Sequence, residues 1–232
     1  MRPTFKVDEH HAVGLNRVMP ASPAASRANE GGPALPLFSG VVLAAGCSSR
    51  MGRDKALLET CGQPLWRRQR EVLAAAGVAQ IFLSARDTQP WAHAASAQFA
   101  AVVRDVENEC GPLGGITAAL DRATHPWLVV MAIDLPNLTE KYLRRIMALV
   151  RAGRGVVPAW PDGRTEPLCA VYPRTAATIA TRRLEQRRLK LQEFVEALES
   201  AGLIERVLIA PADAGLFVNW NEPADASSDA AR

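Results

Sequence analysis

Residues 38–55 read FSGVVLAAGCSSRMGRDK. The first six form a short apolar run that ends in small residues at 44–46, a pattern typical of a buried parallel strand leading into a loop. Small residues let the backbone approach a ligand closely, and the N–H groups of such a loop can form a concave anion site. Arg50, Arg53 and Lys55 bring three cations to the same loop, as a triphosphate requires. The stretch contains neither GxxxxGK[ST] nor GxGxxG, and its residue types alone are equally compatible with a basic surface turn.

Strands and helices alternate through the rest of the chain. Pro64–Ala76 predicts a helix with proline at its start and glycine after its end. Trp127–Ile133 is the clearest buried strand, and Thr139 can cap a helix that runs to Arg151. The remaining predicted segments are strands at 81–83, 101–103, 155–158, 167–172 and 204–209, and helices at 112–123, 175–186 and 191–201. The alternation indicates an α/β fold: a doubly wound, mainly parallel sheet with helices on both faces and ligands bound beyond the carboxyl ends of the strands.

Composition excludes several classes of protein. The 232 residues are 48% apolar and 22% charged, which suits a folded domain that needs no disulfide. The net charge of +3 comes from 27 basic and 24 acidic residues scattered along the chain, and it argues against a partner made of nucleic acid. The four cysteines form no CxxC pair, which favours a reducing, cytoplasmic location over a zinc ribbon. No apolar run approaches the ~20 residues of a membrane helix, so we expect no membrane partner.

The chain before residue 37 has a different composition. Residues 20–36 are mostly Ala, Ser, Pro, Gly and Asn, with too little bulky apolar content to offset the entropy of ordering. We therefore predict a flexible N-terminal extension over 1–36, a single domain over 37–226 and a flexible tail over 227–232.

Two further features carry candidate chemistry. Asp134 follows the strand Trp127–Ile133 and so places a carboxylate at the carboxyl end of a central strand, although an isolated Asp there is also typical of a turn or cap. Gly111–Gly115 begins a helix whose N-terminal dipole favours a nearby anion. Tight helix packing is the alternative explanation for the same glycines.

The stretch LAAGCSSRMGRDKALL at 43–58 resembles the nucleotide-binding signature of the molybdenum cofactor nucleotidyltransferases, most of all their guanylyltransferase branch. The resemblance continues in order through Gly111-Pro112-Leu113-Gly114-Gly115-Ile116, Asp134-Leu135-Pro136, Glu166-Pro167-Leu168 and Asn219-Trp220-Asn221-Glu222-Pro223. It implies a Rossmann-like nucleotidyltransferase fold. It also implies an enzyme that transfers GMP from GTP to the phosphate of molybdenum-molybdopterin, forming the molybdopterin guanine dinucleotide cofactor and pyrophosphate.

The resemblance assigns roles residue by residue. Lys55 and Arg50 steady the phosphates, and Asp134 holds Mg²⁺ with Asp105 as the second metal-side carboxylate. The nucleotide-binding set is Leu43, Ala44, Ala45, Gly46, Lys55, Ser84, Asp105, Gly111, Gly114 and Asp134. Asn219 and Asn221 line the pterin side. The implied partners are GTP and molybdenum-molybdopterin as substrates, together with molybdoenzyme maturation factors.

Some positions depart from the family pattern and keep alternatives open. The motif Leu43-Ala44-Ala45-Gly46 is more typical of the cytidylyl branch. The motifs that begin at Gly111, Asp134 and Glu166 resemble the guanylyl branch. Glu222, Glu166 and Ser84 stand where the family usually has Thr, His and Asn. The alternatives are a CTP-dependent molybdopterin or sugar-1-phosphate nucleotidyltransferase, and a non-catalytic nucleotide-binding accessory module for molybdoenzyme maturation.

Overall fold

The computed structural model of the protein describes residues 37–46, 54–60, 62–104 and 110–220. Its strands are β1 (Phe38–Leu43), β2 (Glu59–Thr60), β3 (Gln63–Pro64), β4 (Gln80–Ser84), β5 (Ala101–Val103), β6 (Trp127–Ala132), β7 (Gly155–Ala159), β8 (Cys169–Pro173) and β9 (Ile204–Leu208). Its α-helices are α1 (Leu65–Ala75), α2 (Pro90–Ala95), α3 (Gly111–Arg122), α4 (Glu140–Met147), α5 (Ala177–Glu185) and α6 (Leu191–Ser200). Short 3-10 helices cover Lys55–Leu57, Ser96–Gln98, Arg174–Ala176 and Pro211–Phe217.

Seven of the strands form one sheet in the order β5-β4-β1-β6-β8-β7-β9. β1 pairs in parallel with β4 and with β6, β4 with β5, and β7 with β9. β8 runs antiparallel to both of its neighbours. The predicted mainly parallel α/β sheet is therefore confirmed, with one reversed strand in its second half.

The sheet buries both of its faces against helices. Val42 belongs to an apolar cluster that includes side chains of α1, α2 and α4. Its neighbour Val41 belongs to a second cluster, with side chains of α3, α5 and α6. Because successive strand side chains point to opposite faces, the two clusters lie on opposite sides of the sheet. All six residues of β1 are buried, which explains why this strand is apolar apart from Ser39, whose hydroxyl donates to the Gln80 side chain.

Several local features differ from the sequence prediction. The helix capped by Thr139 ends at Met147 rather than Arg151, because the chain then tightens into a turn that closes with a bridge between Arg151 and Arg154. The small β2–β3 hairpin and the short helix α2 were not predicted, since neither is long enough to show a clear periodicity. The predicted extension over 1–36 and the tail over 227–232 lie outside the described residues. Within the described ranges, no helix is both long and apolar enough to cross a membrane.

Gly155 makes a close contact at the reversed strand. A Cβ atom on Gly155 would lie 2.0 Å from the Val171 carbonyl oxygen and 3.0 Å from Pro173 Cδ. These atoms belong to β8, so a side chain at 155 cannot be accommodated unless β7 moves away from β8. The absence of a side chain at this position is therefore a condition for the pairing of β7 with β8.

We expect Gly155→Ala to reduce the free energy of unfolding by about 3 kcal/mol, since overpacking against backbone atoms cannot relax by a rotamer change. Gly215→Ala is the control, because a Cβ there meets no atom of the described residues within 4 Å. Urea unfolding monitored by circular dichroism measures both changes. Equal stabilities of the two variants would contradict this account of β7–β8 packing.

Candidate active site

The candidate site lies where the winding of the sheet changes direction. From β1 the chain passes through α1 to β4 on one side, and later returns to the other side of β1 as β6. Leu43 at the end of β1 aligns with Ala132 at the end of β6 and with Ser84 at the end of β4. A hydrogen bond of 3.0 Å from the Ile133 N–H to the Leu43 carbonyl extends the β1–β6 pairing. In doubly wound sheets, ligands bind in the crevice at this switch point.

Lys55 and Asp134 face each other at this crevice. The Lys55 Nζ lies 3.9 Å from the Asp134 Oδ2, and the two side chains are 19% and 29% exposed. This distance is longer than the 2.7–2.9 Å typical of a charge-assisted hydrogen bond. The pair is thus close enough for mutual attraction and open enough for each charge to contact a ligand.

Burial raises the pKa of the Asp134 carboxyl group above its ordinary value. The positive charge of Lys55 and a backbone hydrogen bond act in the opposite direction but do not compensate for the loss of hydration. An ionised Asp134 is therefore only partly neutralised by the residues that the structure describes. A second cation beside this carboxylate would be stabilised.

The loop after β1 is held by hydrogen bonds on several sides. The Ala44 N–H donates to the Ser84 carbonyl at 2.8 Å, and the Gln89 Nε2 donates to the Ala44 carbonyl at 2.9 Å. The Arg86 guanidinium donates to the Gly46 carbonyl at 3.2 Å. Since Leu43 and Ala44 are buried, the more accessible Ala45 and Gly46 are the better candidates for backbone contact with a ligand.

Helix α3 begins close to the same crevice. A Cβ on Gly115 would lie 2.4 Å from Ser84 Oγ and 2.9 Å from Leu43 Cδ2, so this glycine lets the helix rest on the ends of β1 and β4. Gly111, the first helical residue, has a φ of +61°, a conformation that glycine adopts readily. Ser84 is only 2% exposed and its side chain faces α3. The structure thus gives Ser84 a packing role, and its contact with a nucleotide remains a prediction.

The segment around Asn219 also reaches the crevice. The Trp220 N–H donates to the Asp134 carbonyl at 3.1 Å, and the Trp220 ring is buried against Leu58, three residues after Lys55. Asn219, immediately before, is exposed. One residue therefore links the segments that carry Lys55, Asp134 and Asn219.

The structure brings together part of the predicted set. Lys55, Asp134, the 43–46 loop, Ser84 and Asn219 meet at one edge of the sheet, next to the α3 N-terminus that contains Gly111 and Gly114. Four predicted residues lie outside the described ranges: Arg50, Arg53, Asp105 and Asn221. Their assigned roles remain predictions.

Residues that the sequence analysis missed hold the charged pair in place. Asp54 accepts hydrogen bonds from the Ala56 N–H, the Gln89 Nε2 and the Trp91 Nε1. Buried Gln69 on α1 donates to the carbonyls of Ala132 and Leu135, on either side of Asp134. The position of Asp54 next to Lys55 was a weak signal. Nothing in the sequence indicated the roles of Gln69 and Gln89, because their hydrogen-bond partners are distant in sequence.

Glu166 is a further acidic group with electrostatic influence on this site. Burial raises its pKa and the negative charge of Asp134 adds to the increase, while a hydrogen bond from the Trp160 Nε1 and the charge of Arg164 oppose it. The Ala132 N–H donates to the Leu168 carbonyl, which anchors the segment that follows Glu166 at the end of β6. The Glu166-Pro167-Leu168 motif therefore lies at the same edge as Asp134.

Asp134 is a carboxylate at the crevice that could hold a divalent metal ion. Within the described ranges, no group of three or more His, Cys, Asp or Glu side chains is arranged to hold a metal. Mg²⁺ is commonly bound by one or two carboxylates together with water and substrate phosphates. The partly neutralised Asp134 fits that requirement.

Comparisons with known proteins agree with the geometry. The family model of the MobA-like NTP transferase domain matches residues 40–203. A probable molybdenum cofactor guanylyltransferase of Opitutus terrae is 36% identical over 197 residues, covering 81% of this chain and 92% of that protein. A molybdenum cofactor guanylyltransferase of Xanthomonas euvesicatoria is 30% identical over 190 residues, covering 80% and 90%.

Solved structures show the same architecture. Molybdopterin-guanine dinucleotide biosynthesis protein A from Archaeoglobus fulgidus superposes with a TM-score of 0.63 at 25% identity, covering 82% of this chain and 96% of that one. A 2-C-methyl-D-erythritol 4-phosphate cytidylyltransferase from Thermus thermophilus, at 16% identity and a TM-score of 0.58, shares the fold, with coverage of 82% and 96%. The family model covers most of this chain and the Opitutus terrae protein is clearly related to it, so the chain belongs to the MobA-like NTP transferase family.

Proposed function

We propose that this protein transfers GMP from GTP to the terminal phosphate of molybdenum-molybdopterin and releases pyrophosphate. The observation that carries the proposal is the Lys55–Asp134 pair, 3.9 Å apart at the β1–β6 switch point. A cation and a partly neutralised carboxylate side by side suit a substrate that brings both phosphates and a divalent ion. The related proteins named as guanylyltransferases supply the choice of reaction.

In this proposal Asp134 holds Mg²⁺, with Asp105 as a second carboxylate. When bound, the ion neutralises charge on the nucleotide phosphates. Because the ion takes most of its other ligands from water and phosphate, few protein donors are needed. The donor set at the crevice is consistent with that arrangement.

The residues of the chain mainly position the reactants and neutralise charge. An oxygen of the acceptor phosphate bonds to the α-phosphorus of GTP while the bond from the α-phosphorus to the bridging oxygen breaks and pyrophosphate departs. Lys55, with Arg50, stabilises the phosphate charge, and backbone groups at Ala45 and Gly46 orient the nucleotide. No general base is needed, because a phosphate monoester is already largely ionised near pH 7.

On the acceptor side we assign Asn219 and Asn221. The exposure of Asn219 and the hydrogen bond of neighbouring Trp220 to Asp134 support this assignment, since they keep the amide beside the nucleotide crevice. Amide side chains can donate to and accept from a pterin ring. The Trp220 contact also limits how far the acceptor segment can move away from Asp134.

The experiment that tests the proposal is pyrophosphate release from GTP, CTP, ATP and UTP, with Mg²⁺ and molybdopterin supplied. We expect GTP to be preferred. Preference for CTP would show that Ala45 in the Leu-Ala-Ala-Gly loop decides the base. Binding of a nucleotide without pyrophosphate release would instead identify an accessory module.

We expect Lys55→Met and Asp134→Asn each to lower kcat/KM for GTP by about 100-fold or more, the scale of losing a positioned electrostatic contact. Arg122→Met and Asp121→Asn are matched controls, because both side chains are exposed in the last turn of α3, which leads into the amino-terminal end of β6, opposite the crevice. Steady-state kinetics with circular dichroism as a folding check measures the effect. Wild-type rates in either site variant would refute the assigned role of that residue.

The same Asp134→Asn variant should be more stable than the wild type at pH 7 in the absence of metal. The folded-state pKa of Asp134 is raised above 3.8, so the wild type loses stability as the pH rises from 3.8 through that folded-state pKa. Asn cannot ionise, and the advantage of the variant should therefore grow across this interval and stay constant above it. Urea unfolding in EDTA at a series of pH values measures the difference, and a variant that is less stable at pH 7 would contradict it.

A further inference from the structure

Gln89 connects three segments at the edge of the crevice. It lies between β4 and α2 and is 3% exposed. Its Nε2 donates to the Ala44 carbonyl at 2.9 Å and to the Asp54 Oδ2 at 2.6 Å, and its Oε1 accepts from the Arg86 N–H at 2.7 Å. Both hydrogens of the amide and its oxygen are thus used in fixing the surrounding chain.

The hydrogen bond from Gln89 to Asp54 helps to fix the position of the Lys55 backbone. Asp54 is the N-cap of the 3-10 helix Lys55–Leu57, and its Oδ1 accepts from the Ala56 N–H at 3.0 Å. Its other oxygen accepts from Gln89 and from the Trp91 Nε1, each at 2.6 Å. The backbone of Lys55 therefore follows the position of a carboxylate that Gln89 and Trp91 hold.

The contact with Ala44 fixes the other side of the crevice. The Ala44 N–H donates to the Ser84 carbonyl, and the Ala44 carbonyl accepts from the Gln89 Nε2. Arg86, whose N–H is bonded to the Gln89 Oε1, in turn donates its guanidinium to the Gly46 carbonyl. One buried amide thereby joins the 44–46 backbone to the residue that precedes Lys55.

We propose that Gln89 is a positioning residue that sets the spacing between the 44–46 backbone and the Lys55 ammonium group. The inference rests on the proposed function, in which these two elements hold different parts of one nucleoside triphosphate. Without Gln89 the fold persists, but the distance between the 44–46 backbone and the Lys55 ammonium group no longer fits the nucleoside triphosphate. Transfer of a nucleotidyl group is sensitive to such a mismatch because its catalysis depends on alignment of the reactants.

The test compares variants of Gln89 in steady-state kinetics with GTP, Mg²⁺ and molybdopterin. Gln89→Met keeps the size of the side chain but donates no hydrogen bond, and we expect kcat/KM to fall by about 10- to 100-fold, mostly in kcat. Gln89→Glu keeps the acceptor for Arg86 and should also lower kcat/KM, since a carboxyl group supplies at most one of the two hydrogens that Gln89 donates to Ala44 and Asp54. Thermal unfolding verifies that both variants fold.

Two matched controls separate this role from a general loss of packing. Trp91→Phe removes the other side-chain donor to Asp54 but leaves the Ala44 contact, and we expect a smaller loss than for Gln89→Met. Gln80→Met removes an amide that accepts from Ser39 Oγ and Thr124 N–H at the opposite, amino-terminal end of β4, and its kinetics should match the wild type.

A double-mutant cycle with Lys55→Met decides whether Gln89 acts through Lys55. The double variant should lose less than the sum of the two single losses, because Lys55→Met already removes the ammonium group that Gln89 places. Additive losses, or a Gln89→Met variant within twofold of the wild-type kcat/KM, would overturn the inference. A wild-type protein that turns over no nucleotide would instead overturn the proposed function, and with it the role assigned to Gln89.

Discussion

The parallel pairing of β1 with β4 on one side and β6 on the other is the constraint on which the remaining features depend. This pairing aligns Leu43 with Ser84 and with Ala132 in the strand register. The segments that follow these strands therefore begin at the same edge of the sheet. Asp134 reaches the crevice because it follows β6 by only two residues. Both faces of β1 are buried, and therefore neither of its neighbours can shift in register without exposing apolar side chains.

Each of the two charges at the crevice is placed by a buried glutamine rather than by its own ion pair. Gln69 holds the backbone on both sides of Asp134, and Gln89 holds the carboxylate that precedes Lys55. The ion pair itself is long, and burial opposes the ionised form of Asp134. Backbone support thus holds Asp134 at a position where burial opposes its ionised form.

Much of the fold could be predicted because its signals are local. The apolar runs of β1 and β6, the proline and glycine that flank α1, and the Thr139 cap are each visible within a few residues. The reversed direction of β8 could not be predicted, since a buried apolar strand reads the same in either direction. For the site, Asp134 could be predicted from the end of β6, and Lys55 from the basic loop after β1 and the family resemblance. Gln89 and Trp220 could not, because they act through partners far away in sequence.

The Trp220 contact also bears on the order in which the protein becomes complete during synthesis. β1, β4, β5 and β6 with their helices are all available once Asp134 has left the ribosome. Trp220, which hydrogen-bonds to Asp134 and covers Leu58, is added only after β7, β8 and β9. A growing chain therefore contains the strands that carry the crevice well before it contains Trp220. Full order at the site marks a chain that has been translated at least through Trp220.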